Sequence, residues 1–259
     1  AGPVFVLAYS LISCLIYAPW VVYLLVRGGL PWSGAAVGIV LVSGLVHLGY
    51  NLCLQRGYQV ADLSVVYPVA RGTGPMLSSL GAFLILGEAP SATGLAGLAL
   101  VVGGILLIAT QGRLSAFTRP GGQAGLRWGT ATGGLIACYT VLDAYAVKVL
   151  GFAPVVLDWL LNLFRVVMLL PMVAADRRRA VAAMRGHWWR ALGVGVLSPL
   201  SYILVLIALS GGAPLSLVAP MREMSMMVGA LMGLVILHER VGPWRLMGCG
   251  VLALGVMLL

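Results

Sequence analysis

The chain has 259 residues, of which 61% are hydrophobic and only 9% charged, at a mean hydropathy of +1.05. Soluble domains are about half apolar and a quarter charged, so a water-soluble globular fold is excluded: it would have nowhere to put this much apolar surface. The net charge of +9 does not point to nucleic acid, because the basic residues gather in short segments between apolar stretches, where retention of Lys and Arg in cytoplasmic loops explains them.

Apolar stretches of about 17–26 residues, each able to cross a hydrocarbon layer of roughly 30 Å as a helix, fall near 3–26, 32–54, 61–86, 91–110, 126–148, 152–174, 190–209, 214–237 and 242–259. The first lacks a basic leader and ends in Trp20-Val21-Val22-Tyr23, so it reads as a membrane span and not as a secretory signal. Cys14, Cys53, Cys138 and Cys249 lie scattered within these stretches without paired spacing, which indicates neither disulfides nor a metal site. In alternate loops, one face carries Arg56, then Arg113, Arg119 and Arg127, then the arginines of 176–190, then Arg240 and Arg245; the other carries only Arg27 and Lys148. That asymmetry places the Asp176–Arg190 loop in the cytoplasm and the C-terminus outside.

The chain is similar to itself. Tyr50 to Pro68 (YNLCLQRGYQVADLSVVYP) lies over Tyr202 to Pro220 (YILVLIALSGGAPLSLVAP) at a constant offset of 152, with eight of nineteen positions identical. The offset then drops to 151, and Arg71 pairs with Arg222, Glu88 with Glu239, Gly97 with Gly248 and Gly104 with Gly255. Two repeats follow, 1–110 and 126–259, joined by a polar linker over 111–125. The second holds five spans and the first four, so an N-terminal helix is expected to be absent from the first. Five is odd, so consecutive copies must insert with opposite orientation, the inverted pairing of alternating-access carriers.

The stretches SVVYPVARGTGPMLSSLGAFLILGE (Ser64 to Glu88) and SLVAPMREMSMMVGALMGLVILHE (Ser216 to Glu239), each followed by a Gly-rich closing helix, resemble the fourth and ninth helices of the drug/metabolite transporter superfamily in its EamA-like, ten-helix branch. The resemblance covers essentially the whole chain. It implies an all-α polytopic membrane protein of two inverted five-helix repeats, a cavity lined by helices one, three, four, six, eight and nine, and transport of metabolites across the cell (inner) membrane.

Pro68 and Pro220 lie inside their spans, where each removes a backbone donor and frees the carbonyl four residues earlier, at Ser64 and Ser216. Helix breaks at matching positions of two repeats point to a binding site near the midplane. Beside them stand Tyr67, Arg71 and Arg222, and two guanidinium groups facing a cavity would offer forked donors to a carboxylate or phosphate. The alternative is that each arginine is neutralised by protein, with Asp62 or Glu223 as partner. Neighbours along a helix diverge by about 100°, so Arg222 and Glu223 are not expected to meet directly. Glu223 has no counterpart in the first repeat, where Gly72 stands, and is the candidate to carry a coupling proton. His47, Tyr50 and Asn51 group on one span, Tyr202 repeats Tyr50, and Tyr139 and Asp143 sit one turn apart on another; all could line a polar cavity. Glu88 and Glu239, at helix junctions, are expected to cap the N-terminus that follows. The glycines of the closing helices are packing faces within the chain or, alternatively, a homodimer face.

The leading expectation is a secondary transporter of small anionic or zwitterionic metabolites, with no cofactor and no metal. No G-x-x-x-x-G-K-[ST] pattern occurs, which argues against ATP-driven transport within the chain. The alternatives are an integral-membrane lipid-modifying enzyme using Arg71, Arg222 and Glu223 on a phosphorylated head group, or a membrane scaffold. The expected partners are a small-molecule substrate and the lipid bilayer, without nucleic acid.

Overall fold

The computed structural model describes residues 2–28, 33–61, 63–111, 122–235 and 242–259, and among them every regular element is a helix. In chain order these are α1 (Gly2–Gly28), α2 (Gly34–Val60), α3 (Leu63–Ile85), α4 (Ala92–Thr110), α5 (Gly122–Lys148), α6 (Pro154–Ala174), α7 (Arg177–Met184), α8 (Trp188–Ser210), α9 (Leu215–Met221), α10 (Met224–Val235) and α11 (Pro243–Leu258). Among the described residues each apolar stretch read from the sequence is mainly helical. Two features differ from the reading: the 176–190 loop holds the short helix α7, and the stretch 214–237 divides into α9 and α10. Helices α1, α2, α4, α6 and α8 are long and apolar enough to cross a membrane, and α11 is a shorter apolar helix, the property of a membrane protein.

Local chemistry sets the ends. Pro154 and Pro243 open α6 and α11 at the first turn, where a missing N–H costs nothing and the fixed φ is already helical. The Ser91 hydroxyl accepts the Gly94 N–H at 2.9 Å and caps α4. Past α3 and α8 the chain reverses at Gly87 (φ +70°) and Gly212 (φ +96°), a left-handed backbone that residues with a Cβ resist.

The chain forms two compact units, Ala1–Leu48 with Leu142–Gly212, and Gly49–Val141 with Ala213–Leu259. Each draws on both sequence halves. In the first unit α1 packs against α6 and α8. Val6, Leu7 and Cys14 meet Val166 and Leu169, while Tyr17 and Val21 meet Val155, Val156 and Ile203. Rising numbers on α1 face falling numbers on α6, so the two run antiparallel. Two side chains tie the seam to backbone carbonyls: Trp159 Nε1 donates to the Cys14 carbonyl at 2.9 Å, and Tyr17 Oη donates to that of Val196 at 2.9 Å.

In the second unit α4 and α11 touch backbone to backbone. A Cβ on Gly97 would meet the Gly255 carbonyl at 2.7 Å, and one on Gly255 would meet the Gly97 carbonyl at 2.8 Å. Likewise a Cβ on Gly104 would lie 2.8 Å from the Gly248 carbonyl, and one on Gly248 would lie 3.0 Å from that of Gly104. These contacts are reciprocal and antiparallel. Val101, Ile105 and Ile108 close over Leu252 and Cys249 on either side of the glycine seam. In lipid, apolar burial gives helices little drive to associate, so this close dispersion contact carries the pairing. Helix α3 lies along α5 in the opposite sense: Gly125, Gly129 and Gly133 abut Val65, Val69 and Thr73, a constant difference that makes this pair parallel. Gly97, Gly104, Gly248 and Gly255 are thus spent on contacts within the chain, while Gly103 and Gly250 have open space beside them.

Candidate functional site

Two buried polar clusters stand out, one in each unit. In the second unit the fully buried Glu223 occupies the two-residue turn where α9 gives way to α10. Arg71, projecting from α3, brings its Nε to 2.7 Å from Glu223 Oε2, and Arg222 brings its Nε to 3.8 Å from Oε1. Arg71 Nη2 also donates to the Ser225 hydroxyl at 3.2 Å, and its guanidinium lies 5.9 Å from the centre of the Tyr67 ring. Side-chain exposure is 24% for Arg71 and 17% for Arg222, against 1% for Glu223. The anion is sealed beneath the cations and the cations keep an open side. Two guanidinium groups thus flank one carboxylate among the described contacts.

Arg222 and Glu223 meet despite being sequence neighbours. The 100° divergence holds only within a helix, and residues 222 and 223 form a turn, α9 ending at Met221 and α10 starting at Met224. The break expected near Pro220 is therefore present, two residues beyond it. The break expected at Pro68 is absent: α3 stays helical from Leu63 to Ile85 through Pro68 and Pro75. Proline removes one rung of the ladder there, but the flanking Val65 and Val69 are clamped against Gly125 and Gly129, which holds the helix together. Neither the Ser64 side chain, nor Asp62, nor Glu239 is among the described parts of the chain.

Ser216 is engaged elsewhere. Its hydroxyl and amide donate to Glu88 Oε2 at 2.7 and 2.9 Å, and the Leu215 amide donates to Oε1 at 2.6 Å. Glu88 thus caps α9, from the other half of the sequence, and not the following helix α4, whose cap is Ser91. The sequence shows which junction a carboxylate occupies; which helix start folds back over it is a tertiary fact. A cavity of about 320 Å³ opens beside this cap, among Ser79, Phe83, Glu88, Pro214 and Leu217. Also in this unit, the rings of Tyr50 and Tyr139 pack edge to face with centroids 5.5 Å apart.

In the first unit the fully buried Asp143 of α5 collects three side chains. Oδ1 accepts the Ser43 hydroxyl at 2.5 Å; Oδ2 lies 2.9 Å from His47 Nε2 and accepts the Tyr202 hydroxyl at 2.5 Å. The His47 and Tyr202 rings meet edge on at 5.8 Å. On α6, Asn162 Nδ2 donates at 2.9 Å to both the backbone and the carboxylate of Asp158, and Arg165 reaches Tyr9 Oη at 3.4 Å. Asp158 and Arg165, seven residues apart on α6, form no direct ion pair among the described contacts.

The structure so brings together Arg71, Tyr67, Arg222 and Glu223 in one unit and His47, Asp143 and Tyr202 in the other. Sequence reading missed Ser43 and Ser225. Ser43 stands one helical turn before His47, a spacing that could have marked it; Ser225 carries no comparable signal. Among the described residues no group of three His, Cys, Asp or Glu side chains is placed to hold a metal.

No protein-family model matches this chain, and no curated protein does. A solved crystal structure is similar over 100% of this chain and 88% of its own, with a TM-score of 0.80 at 14% sequence identity. At that identity the likeness speaks for the fold alone, which is thus one already seen by crystallography.

Proposed function

We propose that this protein is a secondary transporter of small anionic or zwitterionic solutes, of the drug/metabolite-transporter type, working by alternating access as a multi-pass protein of the cell membrane. The observation that carries the reading is the convergence of Arg71 and Arg222, partners in the internal repeat, on the single buried carboxylate of Glu223. Both guanidinium groups keep a partly open side, from which their forked donors are suited to a carboxylate or phosphate. Membrane-buried ionisable groups cost several kcal/mol unless they are paired or wetted, so a cluster of this kind at a partly open surface marks a place for an anionic substrate.

The inverted-repeat architecture draws its support from helix contacts. The repeat relation takes Gly97 to Gly248 and Gly104 to Gly255, so it exchanges the Gly97–Gly255 contact with the Gly104–Gly248 contact. A contact set that maps onto itself in an antiparallel pair is what a two-fold axis between repeat partners produces. Antiparallel α1 and α6 fit the same relation. Alternating insertion also places the 86–91 and 211–214 loops on one face, in keeping with Glu88 capping α9.

The test uses purified protein in proteoliposomes, with radiolabelled inorganic phosphate, succinate, glutamate and serine as probes. The proposal expects saturable counterflow of at least one probe without chemical change, lost in Arg71→Ala and in Arg222→Ala while both variants remain monodisperse and cooperatively folded. Absence of counterflow across the panel, chemical conversion of a probe, or unchanged counterflow in both variants would reject it.

A further inference from the structure

Glu223 is poorly placed to exchange a proton during transport. Protonating it would remove the charge of the carboxylate that both guanidinium groups meet in a buried setting. It serves better as a fixed counter-anion that keeps Arg71 and Arg222 in position. Asp143 is in a different situation. It is fully buried, and no Lys or Arg pairs with it among the described residues. Its partners are two hydroxyls and one imidazole.

We propose that the coupling proton is bound by the Asp143–His47 pair, with Ser43 and Tyr202 holding the carboxylate for it; this rests on the carrier reading above. The hydroxyls of Ser43 and Tyr202 must donate, since a carboxylate only accepts. That fixes one hydrogen bond on each oxygen and leaves Oδ2 and His47 Nε2, 2.9 Å apart, as the place where a proton joins or leaves. On loading, a proton from water forms one N–H or O–H bond within the pair, and the formal charge goes from −1 to 0. On unloading, the same bond breaks and the proton returns to water on the other side. Nothing is oxidised or reduced. The two states differ by a full unit of charge in an apolar setting, where a net charge costs several kcal/mol, so the loaded and empty pair favour different surroundings and can drive a conformational change.

Among the described contacts, the groups facing the pair come from three neighbouring helices. From α2 come Ser43 and His47, from α8 Tyr202, and from α6 Asp158, close enough to act on electrostatically, with Arg165 two turns further and Tyr9 of α1 against it. Asp158 is buried with only 4% exposure and holds the Asn162 amide. Helices α2 and α5 pass from one unit into the other. On α2, His47 is followed three residues on by Tyr50, and on α5, Tyr139 precedes Asp143 by four.

The experiment compares wild-type protein, Asp143→Asn, His47→Gln and Glu223→Gln in proteoliposomes, with the same four probes and pyranine trapped inside. What is read is the ratio of initial uptake with an imposed pH gradient to uptake without one. In wild-type protein the gradient should raise uptake several-fold, with proton movement seen by pyranine. In Asp143→Asn the ratio should fall to one, and in His47→Gln it should fall part of the way, whatever the residual counterflow. Should Asp143→Asn fail to fold, the His47→Gln ratio and the wild-type pyranine signal decide. A wild-type ratio of one with counterflow intact, stimulation by a sodium gradient alone, an undiminished ratio in Asp143→Asn or His47→Gln, or loss of the ratio in Glu223→Gln with counterflow intact would each overturn the assignment and leave the carrier reading standing. Absence of wild-type counterflow would remove both.

Discussion

Adjacent glycines on α4 give the sharpest test of the packing. At Gly104 an added Cβ would lie 2.7 Å from the backbone nitrogen and the Cβ of Leu252, whereas at Gly103 nothing lies within 4 Å. Ordinary van der Waals contact begins at 3.4 Å, so Gly104→Ala forces α4 and α11 apart by 3.4 − 2.7 = 0.7 Å at a point where neither backbone can yield. A gap of roughly 0.5–1 Å forfeits a quarter to a half of each dispersion contact, and this seam includes Val101, Ile105, Ile108 and Leu252. Overpacking of this kind costs about 1–3 kcal/mol, more than the roughly 1 kcal/mol that alanine returns through helix propensity. The two substitutions should therefore differ in sign: Gly104→Ala lowers the unfolding midpoint in detergent and Gly103→Ala raises it or leaves it unchanged. Equal midpoints for the two variants, or a more stable Gly104→Ala, would refute the backbone contact.

Glu88→Ala should destabilise the protein by about 1–2 kcal/mol, because it strips the cap from the first amides of α9; faster hydrogen exchange at Leu215 and Ser216 is the diagnostic reading. Arg71→Lys keeps the charge but loses the fork that reaches both Glu223 and Ser225, so half-saturation of counterflow should rise on the order of tenfold, the ~1.4 kcal/mol expected for one charge-assisted hydrogen bond. Tyr17→Phe removes the 2.9 Å bond to the Val196 carbonyl and should cost about 1 kcal/mol in thermal unfolding without altering half-saturation.

The helices were legible in the sequence because in a bilayer the backbone must satisfy itself, so length and hydropathy nearly dictate the element. The repeat was legible through residues that apolar drift does not place by chance: Pro68 with Pro220, Arg71 with Arg222, the glycines of α4 with those of α11. Less legible was how two similar stretches behave differently. Both carry a proline before an arginine, yet α3 remains one helix, clamped by the glycine ridge of α5, while α9 and α10 part at Arg222 and Glu223. That turn lets neighbouring residues form an ion pair that helical geometry forbids. The partnership of Asp143 with Ser43, His47 and Tyr202 joins three helices and leaves no spacing signature beyond the single turn from Ser43 to His47. Glu88 follows the same rule: its residue type announced a cap, and only tertiary folding chose α9.

Inverted insertion of the two repeats is the claim on which the transporter reading most depends, and sidedness labelling tests it directly. With Cys14, Cys53, Cys138 and Cys249 replaced, single cysteines would be placed at Ala89, between α3 and α4, and at Gly242, which opens α11. Intact cells treated with a membrane-impermeant maleimide should label Ala89→Cys from outside and leave Gly242→Cys untouched until the inner face is exposed. Labelling of both positions from the same side would contradict the account.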